Sequence, residues 1–445
     1  MSMKDDQEAM AAMVHGVARA RSLGVADSEW LCEVSDHLSF SWSGDQVTDV
    51  QRSVEKVVRV RVWLEGGQAG QSEGSLGALE SVLDKALVRA KKGQVDLNDR
   101  PVRSMPHHLE PLSTEDRRYQ GLSVDDRVEV VAGAYRALKK LNPELQADVM
   151  TWSDVRVQRF FVNSRGVRFT EKETTYQAHV EVTYGVPEGA IVASRTPSSR
   201  RFSVLAAVPY AVRAGQQLLQ VEGAPVALSG PIRVMLGSAA TAKLFDAIAQ
   251  GFWDGQVPGF LLGRDGQPRA FDRRLNLRDD GRTVGGLRSR SFDDRGVVPK
   301  PVMLIRDGRL GGRLVSLKEA RKENIEPTGH QSGAGLRPSN LTLMAGTRSL
   351  NAIAIARGGP SIWVNDLPDL SSGGLDLVTG QLDCVVHGRV MEGNQVQGVA
   401  RGVRLTGDLG TALEQVVEIS SDTDRVGHID APGMVFDGLE VRGSG

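Results

Sequence analysis

The stretch Val58-Arg59-Val60-Arg61-Val62-Trp63-Leu64 constrains the fold more than any other in the chain. Valines and leucine alternate strictly with the arginines and the tryptophan, so one face is apolar and the other is not. That is the pattern of a half-buried antiparallel strand. A strand of this kind needs paired neighbours and a layer to cover its apolar face, and the chain supplies both. Fifty glycines in 445 residues exceed ordinary usage and favour a turn-rich, strand-rich protein. Helical periodicity flanks the strand, over residues 7 to 23 and again at Leu76, Leu79, Leu83 and Leu87.

These patterns predict an α+β protein. Residues 1–95 form an N-terminal α/β domain with an antiparallel sheet, and 96–122 a proline-interrupted, exposed linker. Residues 123–225 read as a helix plus antiparallel sheet. They open at Ser123-Val124-Asp125-Asp126, a variant capping box, and close at Gly223-Ala224-Pro225. The helix there is expected to turn Val124, Val128, Val131, Tyr135 and Leu138 inward. Two strands, 155–162 and 167–175, are joined through Asn163-Ser164-Arg165-Gly166. Residues 226–445 form a strand-rich, curved or barrel-like domain. Its strands are expected at 301–305 and 310–317 about Asp307-Gly308, then at 341–345, 352–356, 362–366, 381–390 and 395–405. Ser316 to Glu319 is a second capping box. Arg264 to Pro299, rich in Arg, Asp and Gly, is expected to be a functional flap or partly disordered.

Composition excludes several classes. A net charge of −1 gives no reason to expect nucleic acid or an anionic membrane as partner. No apolar run approaches a membrane span, and the N-terminus lacks the apolar core of a signal peptide, so a cytoplasmic protein is expected. Cys32 and Cys384 lack metal-ligand spacing and read as free thiols.

Candidate site residues are few. His107-His108 lies in the linker without an acidic or thiol neighbour at ligand spacing, and reads as solvated. Ser164 has neither a base beside it nor a nucleophile-elbow pattern. His179 falls on a polar face, and the basic segment 195–201 reads as a mobile loop. His330, set between glycines, reads as a surface-loop residue. Cys384 reads as a buried strand residue, and its spacing from His387 is weak evidence for a nucleophile pair.

The segment Thr241 to Gly255, TAKLFDAIAQGFWDG, reads as a short helix entered from the strand Ile232 to Leu236. Gly237-Ser238 supplies the turn and N-cap, and Leu244, Ile248 and Phe252 form the buried face. It resembles the motif helix of the TldD/TldE (TldD/PmbA) family of heterodimeric peptidases, whose catalytic subunit carries HExxxH there. In that frame Phe245 stands at the first histidine, Asp246 at the glutamate and Gln250 at the second histidine, with Gly251 and Asp254-Gly255 keeping the flanks. The N-S-x-G turn and the run GLDLVTGQLDCVVHGRVMEGNQVQGVARGVRLTGDL resemble the same family, the latter its PmbA side. The tail PGMVFDGLEVRGSG has no cysteine where the catalytic subunit places a third ligand.

The ligand chemistry can be judged independently. Phenylalanine cannot coordinate and a neutral amide is a poor zinc ligand. Positions 245 and 250 sit about 140° apart on an ideal helix. No catalytic, cofactor or metal residue is therefore assigned to this chain. The resemblance implies a non-catalytic TldE-like subunit, with zinc held by a TldD-like partner and short unstructured peptides, some of them leader segments of modified ribosomal peptides, degraded or trimmed. A homodimeric peptide-binding or scaffold protein is the alternative.

Overall fold

The computed structural model describes residues 3–43, 45–104, 110–185, 191–223, 225–263, 265–368, 370 and 373–443. Seven strands build the first sheet: β1 (Asp27–Ser43), β2 (Gln46–Trp63), β3 (Ala69–Ser75), β4 (Gln146–Asn163), β5 (Arg168–Tyr184), β6 (Ile191–Arg195) and β7 (Ser198–Ser199). The order is β3-β2-β1-β4-β5-β6, with β7 on β5, and every pair is antiparallel. Because β1 pairs with both β2 and β4, strands from either side of the 96–122 segment share one sheet.

The two faces of this sheet follow residue parity. Even-numbered Trp30, Val60, Phe160 and Tyr176 lie under four helices: α1 (Met3–Ser22), α2 (Leu79–Lys91), α3 (Val124–Leu141) and α4 (Ala207–Gln220). Odd-numbered Arg59, Arg61 and Trp63 face the other way, as the alternation predicts. That face is not open to solvent, because the segment following residue 280 covers it. Arg59 pairs with Asp294 at 3.0 Å, and Trp63 is fully buried beneath the Arg295 guanidinium. Gly296, at φ 74°, lets this segment approach closely: a Cβ there would lie 2.6 Å from the Phe161 ring.

The second sheet has twelve strands, all from residues 230–442: β8 (Gly230–Pro231), β9 (Arg233–Leu236), β10 (Leu277–Asp279), β11 (Val302–Arg306), β12 (Arg309–Leu310), β15 (Leu341–Leu343), β16 (Pro360–Val364), β17 (Gln381–Glu392), β18 (Gln395–Asp408), β19 (Val416–Val426), β20 (Ile429–Phe436) and β21 (Glu440–Arg442). A small ribbon, β13 (Gln331–Ser332) with β14 (Gly335–Leu336), stands apart. The helices of this half are α5 (Ser238–Gln250), α6 (Leu317–Glu323), α7 (Leu350–Arg357) and α8 (Leu409–Glu414). Among the described residues no helix is long and apolar enough to cross a membrane.

Both capping boxes form as expected, Ser123 with Asp126 and Ser316 with Glu319. Asp307 and Gly308 turn with φ of 49° and 70°. Several expectations need correction. Residues 352–356 are helical, within α7, because Ser349 caps Ala352 N–H and starts a turn there. On α3, Val128, Val131, Tyr135 and Leu138 face the core as expected, but Val124 is exposed and Arg127 is buried, ion-paired with Asp154. The strand after Asp307-Gly308 pairs for only two residues, Arg309–Leu310. The described part of 264–299 is ordered, with Phe271 and Leu275 in the main core and Phe292 and Val297 packed on Phe161. The 96–122 segment is not simply exposed either. Val102, Leu112 and Tyr119 are buried, and Pro101 O accepts a hydrogen bond from Arg321 at 2.9 Å.

Candidate functional site

Strand β9 lies between β16 and β20 and delivers the chain to α5. The helix begins at Ser238, earlier than the sequence suggests. Gly237 is its N-cap without a side-chain bond, while the Ser238 hydroxyl donates instead to Asp422 O at 2.7 Å. Leu244, Ile248 and Phe252 are buried, as their spacing predicts. Phe245 is fully buried as well, inside the largest core cluster. Asp246 is half-exposed and Gln250 exposed.

The fold brings two further residues to Asp246. His428, at the turn between β19 and β20, places Nε2 3.5 Å from Asp246 Oδ1. Arg288, from the segment covering the first sheet, acts on both groups. Burial, then the Arg288 charge, pushes the imidazole down to about 3, so it is neutral near pH 7. Burial raises the Asp246 carboxyl above its ordinary range, against the pull of Arg288. Nε2 of His428 makes no hydrogen bond among the described residues. Sequence reading missed both partners, because neither position carries a local signal; they meet Asp246 only through chain closure.

This donor set does not suit a hydrolytic zinc, which takes three protein ligands. A benzyl ring occupies the first frame position, an amide the last, and a guanidinium lies close to the carboxylate–imidazole pair. Among the described residues no group of three His, Cys, Asp or Glu side chains converges to hold a metal.

Beyond α5, the chain turns through Trp253 and Asp254. Asp254, at φ 56°, accepts the Leu336 N–H at 2.8 Å and so pins β14. Arg337, next in sequence, lies over the Trp253 ring with its guanidinium carbon 3.9 Å from the centroid. Trp253, Arg288 and Arg337 line a cleft of about 480 Å³. The first sheet contributes Arg159 and Glu173 to its lining.

His330 also lines this cleft, and it is buried rather than in a surface loop. Its Nε2 lies 3.3 Å from Asp279 Oδ2, and Asp279 also accepts bonds from the Ser339 N–H and hydroxyl. Burial opposes protonation of this imidazole, but Asp279 and Asp293 outweigh it and raise its pKa. The trio is not a hydrolase triad: the serine hydroxyl donates to the carboxylate, not to the imidazole. Asp293, fully enclosed, is pushed up to about 6 by burial despite accepting the Arg295, Val297 and Gln331 N–H groups.

The remaining sequence candidates lie elsewhere. Ser164 ties the β4–β5 turn to the start of β1, accepting the Ser28 N–H and donating to Asp27. His179 meets the Thr196 hydroxyl at 2.9 Å. Segment 195–201 is not a free loop, since Arg195 pairs with Asp366 and Arg200 is buried against Glu173 and the Gly286 and Leu287 carbonyls. Cys384 is buried on one face of β17, while His387 lies on the opposite face and accepts the Gly402 N–H, so they form no pair. Cys32 is buried in the first sheet's core, and burial pushes its thiol up to about 12. His107 and His108 fall outside the described residues.

Residues 229–443 match the family model described as PmbA/TldA metallopeptidase C-terminal domain. A "Metalloprotease PmbA homolog" of Haemophilus influenzae is 21% identical over 99% of this chain and 97% of its own length. Its namesake from Buchnera aphidicola is 24% identical over 52% of this chain; the match spans about half of that relative, 49%. Among solved structures, a candidate DNA gyrase modulator of Thermotoga maritima superposes with a TM-score of 0.86 at 18% identity, covering 97% of this chain and 99% of that one. TldE from Thermococcus kodakarensis superposes with a TM-score of 0.80 at 16% identity, covering 97% and 100%. At these identities the structural likeness establishes the shared fold.

Proposed function

The chain belongs to the TldD/PmbA family, and we propose that within it this chain is the non-catalytic, TldE-like subunit of a heterodimeric zinc peptidase. The observation that carries this reading is Phe245. The side chain at the first motif position is a core residue with no solvent exposure, and the motif frame is left with one carboxylate and one amide. His428 adds one imidazole to Asp246, which is still one donor short of a hydrolytic zinc site. The zinc chemistry, polarising a scissile carbonyl and activating water, then belongs to a TldD-like partner.

This chain contributes wall and binding surface. The β2 segment 46–56 pairs with β1 on one edge, while β3 covers the other edge only from Val57 onward. Among the described residues that edge is uncovered, and such an edge can take an extended peptide backbone with little regard to sequence, which favours unstructured chains over folded ones. Short, unstructured peptides are the substrates that fit.

Co-expression with a chain carrying HExxxH tests the proposal. A stable complex is expected, with peptide cleavage that vanishes when the partner's motif glutamate is replaced by alanine. Cleavage by the isolated chain, insensitive to chelators, would refute it. A tight self-dimer that ignores such a partner would favour a homodimeric scaffold instead.

A further inference from the structure

We propose that the cleft beside α5 is a carboxylate-recognition subsite, in which Arg288 and Arg337, the latter stacked on Trp253, receive an acidic group of an extended peptide. This rests on the peptide-binding reading above and adds to it a preference in the ligand.

Most arginines around the cleft are already paired. Arg159 meets Glu33 at 2.8 Å and Glu173 at 2.7 Å, Arg200 meets Glu173 at 3.0 Å, and Arg290 meets Asp294 at 2.7 Å. Arg288 and Arg337 differ. Neither has a carboxylate within ion-pair distance among the described residues, although both line the cleft. The nearby acids are engaged elsewhere: Glu173 by two arginines, Asp279 by Ser339 and His330, Asp254 by the Leu336 N–H. Asp246 and Asp279 attract Arg288 only at longer range.

Both guanidiniums are held in place. Arg288 donates Nη1 to Pro338 O at 3.2 Å, and its backbone N–H is bound by Asn340 Oδ1 at 2.9 Å. Arg337 rests on the indole of Trp253, a residue that is itself 39% exposed at the cleft. Two like charges that repel each other across a concave wall form a preorganised receptor for an anion, and a planar fork matches a carboxylate. Burial is the main cause that lowers the pKa of Arg288, and the Arg337 charge lowers it further.

Fluorescence anisotropy on the full chain alone tests this. The probe is a fluorescein-labelled octapeptide of alternating Ala and Glu, compared with its Gln counterpart, each with a free or amidated C-terminus. Peptides bearing a carboxylate should bind about tenfold more tightly than the amidated Gln peptide, the effect of one charge-assisted contact. Loss on Glu-to-Gln replacement identifies a side-chain carboxylate as the ligand, and loss on amidation identifies the terminal one. Arg288→Gln and Arg337→Gln should each weaken the acidic peptide by a similar factor and leave the neutral one unchanged. Equal binding of acidic and neutral peptides, or acidic-peptide binding unaltered in both variants, would overturn the proposal. So would displacement by inorganic phosphate far below the concentration at which acetate displaces. Because no partner is present in the assay, a failed heterodimer and a failed subsite remain distinguishable.

Discussion

Two arginine-rich regions lie side by side in this molecule. In the seam between the first sheet and the segment covering it, every named guanidinium is neutralised: Arg159 by three glutamates, Arg200 by Glu173, and Arg295 by Glu29 and Asp99. At the adjoining cleft, Arg288 and Arg337 have no such partner among the described residues. Burial explains the difference. A charge removed from water must be paired or it destabilises the fold, whereas a charge at an open cleft can stay hydrated until a ligand arrives. The seam holds the halves together, and the cleft is left available.

The comparison is most open to challenge in the seam. Arg159→Met strands the buried Glu171 carboxylate and leaves Glu173 with Arg200 alone, and urea denaturation should report a loss of about 3–5 kcal/mol. A loss below about 1 kcal/mol would mean that these buried pairs across β1, β4 and β5 do not stabilise the sheet.

A smaller effect is expected at His428, whose side chain is largely enclosed beside Asp246. Its folded pKa of about 3 is below the ordinary 6.5, so only the unfolded chain takes up a proton in that window. Stability is therefore intact above pH 6.5 and lost as pH falls towards 3. Between pH 7 and 4 the wild type should lose about 2–3 kcal/mol that His428→Gln does not. Parallel pH profiles for the two proteins would show that the imidazole is not held neutral.

The smallest effect belongs to the cleft itself. Arg337→Gln should change stability by no more than about 0.5 kcal/mol in a thermal melt, as expected of an exposed side chain. A large destabilisation would make Arg337 a structural residue and erase the contrast with Arg159.

What could be read from the sequence was what local rules encode. The parity of Val58 to Leu64, the caps at Ser123 and Ser316 and the buried spacing of Leu244, Ile248 and Phe252 each depend on near neighbours in the chain. Ala352 to Ala356 is helical although its sequence suggests a strand, because a five-residue Ala/Ile alternation satisfies a strand pattern as well as one turn of helix. Only the Ser349 cap decides between them. His330 looked solvent-facing for its glycine neighbours, yet Asp279, fifty-one residues earlier, draws it inside. Arg288 and His428 reach Asp246 from two separate loops, so no spacing in the sequence could announce them. The absence of imidazole at 245 and 250, by contrast, was plain from the residues alone.

The most direct measurement is the zinc content of the purified chain, free of any partner, after dialysis against a weak chelator. The account predicts far less than one zinc per chain and no peptide cleavage. One tightly held zinc per chain, lost on Asp246→Asn or His428→Gln, would contradict it.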